Sequence, residues 1–143
     1  MIPDDKLANN GMLIITGASL KAETFDRPLA YKLKDTILGI TGDPGLNEQI
    51  VVMSDMWYLS SEALHDLPVV SIGEPGNNAL SAYFFKRLAN ALVVDDVLRI
   101  QMDVELHDLR VALWGCCHEN TVEAIELFVH NGYLEKFLDS VFD

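Results

Sequence analysis

The run Met12-Leu13-Ile14-Ile15-Thr16-Gly17 decides the fold, because it sets a short apolar, strand-length segment against a small residue and recurs in kind three more times. Ile50-Val51-Val52-Met53 runs into Ser54, Val69-Val70-Ser71-Ile72 into Gly73, and Val111-Ala112-Leu113-Trp114 into Gly115. Segments of this length, rich in β-branched residues and apolar at odd and even positions alike, suit strands buried on both faces. Such burial requires helices above and below. The four runs therefore predict a three-layer α/β domain, flavodoxin-like or Rossmann-like, with four mainly parallel strands and helices on both faces.

The intervening stretches carry helix signals. Asp26 ahead of Arg27-Pro28 reads as an N-cap with proline in the first turn, opening a helix that ends near Ile40, before the turn Gly42-Asp43-Pro44-Gly45. Gly39 to Asn47 is the expected loop. Ser60 or Ser61 caps a short helix through Leu64 and His65, and the stretch after Pro75 reads as a longer helix to about Ala91. Asn120 with Glu123 three residues on has the form of a capping box for a helix from Thr121 to about His130. Asn131-Gly132 stops it, and Tyr133 to Phe142 forms a last amphipathic helix. From Leu98 to His107 apolar and polar residues alternate strictly, the period of a half-exposed strand. The gap before Val111 is too short for a crossover helix, so this segment is expected as an antiparallel edge strand, with a helix over 95–107 as the competing reading.

The chain of 143 residues suits a single domain that buries roughly two thirds of its unfolded surface. No apolar run approaches the ~20 residues of a membrane-spanning helix. The opening Met1-Ile2-Pro3-Asp4-Asp5-Lys6 has neither the basic nor the apolar region of a secretory leader, which points to the cytoplasm. Twenty-two acids against ten bases give a formal charge of −12, which repels nucleic acid and anionic membrane surfaces. The apolar content, the amphipathic strand and the stripe Leu134, Phe137, Leu138, Val141 and Phe142 point to a homo-oligomer.

In open parallel sheets ligands bind beyond the carboxyl ends of the strands, beside the point where strand order reverses. That rule nominates Gly17 and Ser19 after the first strand, Asp55 and Trp57 after the second, and Gly73, Glu74, Gly76, Asn77 and Asn78 after the third. Together they suggest a site for a small polar ligand or nucleotide, with no cofactor identified. Small residues at strand ends also simply permit tight turns. The loop from Gly73 is neither G-x-G-x-x-G nor a P-loop, and Asn77 or Asn78 serves equally well as a helix cap. Trp57 is placed to stack on a planar ligand or to pack under a neighbouring helix.

Gly115-Cys116-Cys117-His118 is the most chemically suggestive cluster, since a cysteine between a strand and a helix can have its thiolate stabilised by the helix terminus. Cys117-His118 resembles the strand–Cys–His elbow of the PfpI amidotransferase-like family, although Glu119 stands where those proteins place glycine. The resemblance implies a nucleophilic cysteine on a sharp turn. A cysteine-dependent hydrolase or transferase using Cys116, Cys117 and His118 is thus the alternative function, requiring a further histidine such as His65 to be brought near by folding. Inert buried thiols are the competing account of the cysteines, and a scaffold subunit without ligand is the third reading of the protein. The adjacent cysteines cannot staple distant segments. Cys116, Cys117 and His118 could be joined by His65, Asp55 or Glu74 across the strand ends, but neither C-x-x-C nor H-x-x-x-H spacing occurs, so no metal site is predicted.

Overall fold

A computed structural model describes residues 11–142; the leader reading at residues 1–6 lies outside that range. The strands are β1 (Met12–Thr16), β2 (Ile50–Ser54), β3 (Val69–Ile72), β4 (Asn90–Val94), β5 (Leu98–Met102) and β6 (Arg110–Gly115). They form one mixed sheet in the order β2-β1-β3-β6-β5-β4. The four apolar runs pair in parallel, with Leu13 opposite both Val51 and Val69 and Val70 opposite Val111. β5 runs antiparallel to β6 and to β4.

Successive strand residues point to opposite faces, and each face is covered. On one face Met12, Ile14, Val70, Ile72 and Leu113 pack with Leu33 and Ile37 of α1 (Leu20–Thr41), Phe128 of α4 (His118–His130) and Phe137 of α5 (Tyr133–Phe142). On the other, Leu13, Ile15, Val69 and Ala112 pack with Tyr58 of α2 (Asp55–Leu59) and with Leu80 and Phe84 of α3 (Ala79–Phe85). The result is a three-layer α/β arrangement. Among the described residues no helix is long and apolar enough to cross a membrane.

Several expected boundaries move. The alternating strand forms as β5 but ends at Met102 and lies inside the sheet; the edge is β4, from residues expected to end a helix. Asp95 and Asp96 adopt φ of 51° and 61°, closing a tight turn in which Val97 N–H donates to Val94 O at 3.0 Å. Aspartate tolerates this left-handed conformation better than most residues. The side-chain amide of Gln101 on β5 donates to Phe85 O (3.1 Å) and Leu88 O (3.3 Å), stopping α3 two turns early.

α1 begins six residues ahead of the Asp26 cap expected from the sequence, with Ser19 as N-cap, its hydroxyl accepting from Ala22 N–H at 3.2 Å. Pro28 is accommodated inside this helix. α4 likewise starts at His118 with Cys117 as N-cap, which places Asn120 within the first turn. The apolar stripe on α5 is spent within the chain, since Leu134 and Phe137 are fully buried beside Phe128. It therefore lends no support to an oligomer.

Candidate functional site

The chain turns one way from β1 to β2 and the other way from β3 towards β6, so strand order reverses between β1 and β3. The structure fills that crevice with protein. A β-carbon at Gly17 would stand 1.8 Å from Asn77 O, so glycine is needed for the two loops to touch. Asn78, 1% exposed, donates to Ile15 O (3.3 Å) and Ile72 O (2.9 Å), tying the ends of β1 and β3 together. Its oxygen accepts from Leu80 and Ser81 N–H at 2.9 and 3.1 Å, and Asp55 accepts from Met56 and Ala79 N–H, each at 2.7 Å. The polar atoms of both side chains are thus engaged in holding the loops, and they close the first turn of α3 to an anion.

A cavity of about 240 Å³ opens beside this plug, over the ends of β3 and β6 and between the first turns of α1 and α4. Its floor is Gly115, where a β-carbon would meet Asn120 Cβ at 2.3 Å and where Thr121 Oγ1 accepts from the backbone N–H at 3.0 Å. Asp26 enters from α1. This helix buries Ala22, Asp26, Ala30, Leu33 and Ile37, a stripe at helical spacing in which one position facing the sheet is a carboxylic acid.

Asp26 is 8% exposed and receives no hydrogen bond from any other described residue. Gly73, at φ 121°, makes room for it: a β-carbon there would lie 2.6 Å from Asp26 Oδ2. Burial pushes the Asp26 carboxyl up to about 6, with His118 lowering it, Glu74 raising it and Lys21 lowering it. Desolvation leads because the carboxyl has lost most of its water and no described residue replaces it with a donor.

The rest of the wall is more exposed. Glu74 accepts from Asn77 Nδ2 at 2.7 Å and lies 3.9 Å from Lys21 Nζ. The His118 ring sits 5.3 Å from that of Phe25, centroid to centroid. Glu119 is held below the usual carboxylate range by its own backbone N–H and, secondarily, by the Cys117 thiol. The hydrogen bond that the Cys117 thiol makes in the structure is to Asn120 Oδ1, at 2.9 Å.

Of the residues nominated from sequence, the cavity gathers Glu74, Asn77, Cys117 and His118, with Gly73 pressed beneath Asp26. Ser19 caps α1, Gly76 is exposed with open space beside it, and Trp57 stands half-exposed on α2 over the opposite face of the sheet. Both cysteines are exposed, not buried as one account held; Cys116 lies outside this cavity's lining and reaches towards Asp96 O, 4.0 Å away. His65 accompanies His107 and Arg110 around a different depression, at the amino ends of β3 and β6, and its Nε2 lies 2.8 Å from Tyr58 O. It is therefore remote from Cys117. Among the described residues no group of three or more His, Cys, Asp or Glu side chains is arranged to hold a metal ion.

Asp26, expected as a helix cap, lies instead within α1 and lines the cavity. The signal was present: with α1 begun at Ser19, Asp26 falls on the buried stripe. A second concavity of about 280 Å³ lies lower between α1 and α4, lined by Leu29, Thr36, Val122 and Ile125 among others. It lacks a buried polar group that would fix a ligand's orientation.

The chain is thus a three-layer α/β arrangement with a small, acidic cavity at the strand ends. Comparison with family models, curated proteins and solved structures finds no match to this chain.

Proposed function

We propose that this protein binds a small polar molecule in the cavity over β3 and β6, as a flavodoxin-like or Rossmann-like binding domain. Asp26 carries the reading. A carboxyl raised from 3.8 to about 6 represents roughly 3 kcal/mol of unfavourable burial at neutral pH, and nothing in the packing of α1 requires an acid there. A strongly perturbed titratable group inside a cleft is a recognised mark of a functional site. The cavity is also small: 240 Å³ falls below the several hundred that larger ligands fill, so the ligand is expected to be smaller than a nucleotide.

A cysteine-dependent reaction has less support. Cys117 lines the cavity beside His118, but its one S–H donates to Asn120 Oδ1, and the neighbouring Glu119 is held below the usual carboxylate range. A carboxylate held below its ordinary range is a weak base for activating a thiol. The test is amide-resolved NMR with a panel of amines, amino acids, sugars, sugar phosphates and nucleotides. Binding at this site moves the Gly73 and Gly115 amides, and Glu119→Trp, which fills the mouth from an exposed position, abolishes the movement. A hit that moves amides elsewhere and survives that substitution places the site elsewhere.

A further inference from the structure

We infer that the ligand is a small organic cation, a molecule carrying a primary or secondary ammonium group that docks on Asp26. This rests on the binding reading above and names its ligand class. Three carboxylates, those of Asp26, Glu74 and Glu119, line the cavity with a single permanent cation, Lys21. Lys21 is two-thirds exposed and turned to Glu74. The helix ends offer an anion little. Ser19 already accepts from the first turn of α1, and Glu119 accepts from its own N–H in the first turn of α4. A carboxylate or phosphate entering here would meet like charge without a free cation to balance it.

Asp26 presents the opposite demand. It is more than nine-tenths buried, faces the cavity, and neither of its oxygens receives a donor from another described residue. A buried ionised carboxylate is stabilised by donors and most strongly by charged ones. A primary ammonium group supplies three donors, a secondary one two, and neither carries an acceptor, which suits a wall of acceptors. Phe25 adds an aromatic ring on the same wall, and such a ring face attracts a cation within about 6 Å. The formal charge of −12 draws cations towards the molecule at long range.

The experiment titrates the full chain with charge-matched sets: putrescine, 1,4-butanediol and succinate, and glucosamine, glucose and glucose 6-phosphate. Binding is followed at the Gly73 and Gly115 amides in wild type and in Asp26→Asn, whose fold is checked by its own spectrum. The amines are expected to bind at least about tenfold more tightly than their neutral counterparts, a charge-assisted contact exceeding a neutral one by a little over 1 kcal/mol. Asp26→Asn is expected to remove that preference. Tighter binding of succinate or glucose 6-phosphate at the same amides overturns the ligand class while leaving the cavity as a binding site. So does equal binding of amines by wild type and Asp26→Asn. Failure of every probe, whatever its charge, to move these amides contradicts the binding reading itself.

Discussion

Gly73 and Asp26 occupy complementary space: a β-carbon on the glycine would lie 2.6 Å from Oδ2 of the aspartate, and the glycine's φ of 121° is one that side chains rarely adopt. The loop leaving β3 and the buried stripe of α1 are thereby fitted around a carboxyl group.

Gly73→Ala is expected to destabilise the protein by about 2 kcal/mol or more, through backbone strain and through contact with Asp26. The two parts separate in a double-mutant cycle. In an Asp26→Ala background the contact is gone and the strain remains, so Gly73→Ala should cost measurably less in urea denaturation. Equal cost in both backgrounds would mean that the two residues do not meet.

Asp26→Asn should stabilise the protein at pH 8 and lose that advantage at pH 4. The folded carboxyl titrates at about 6 and the unfolded one at 3.8, so between these values the folded state binds more protons. Stability then falls as pH rises through that window, and the penalty is complete above it. The amide, which does not titrate, avoids roughly 3 kcal/mol at pH 8 and only about 0.5 kcal/mol at pH 4. Denaturation of both proteins across this range checks the sign and the window; a gain that does not change with pH would contradict it.

Much of the architecture was legible because four apolar runs ending in Gly17, Ser54, Gly73 and Gly115 have few alternatives to buried parallel strands. The last helix was legible too, since Asn131-Gly132 punctuates it and its apolar stripe is strong. Elsewhere a long-range contact overrode the local signal. Asn90 to Val94 follow a helical segment and carry no break of their own, but Gln101 caps α3 and the pairing with β5 makes them a strand. At α1 the proline that suggested a start lies inside a helix capped by Ser19. That shift of one cap also hid the site, because a carboxylate on a buried stripe is unusual only once the stripe is known. Asn78 was legible in part: it is the helix cap that its place after β3 allows, and its amide also ties together the ends of β1 and β3, contacts that no local pattern announces.

Asn78→Ala is accordingly expected to act on stability. It removes an N-cap, worth about 1 kcal/mol, and leaves the carbonyls of Ile15 and Ile72 without their buried donor. Together the loss should be about 3 kcal/mol in thermal or urea unfolding. A variant as stable as wild type would show that the loop after β3 is held by other means.

The two thiols should respond differently to a ligand. Both are exposed, but Cys117 lines the cavity and Cys116 reaches towards Asp96. Alkylation followed by mass spectrometry should show glucosamine or putrescine slowing modification of Cys117 and leaving Cys116 unchanged. Protection of Cys116 instead would place the bound molecule towards the β4–β5 turn.

Asp26 stands at the centre of the proposed site as a buried carboxyl that no described residue supplies with a donor. The most direct measurement is its titration by carbon-detected NMR in the ligand-free protein, with Asp26→Asn assigning the resonance. A midpoint near 6 is the expected result. A midpoint at or below 3.8 would show a carboxyl already solvated or paired within the fold, and would contradict the site at its centre.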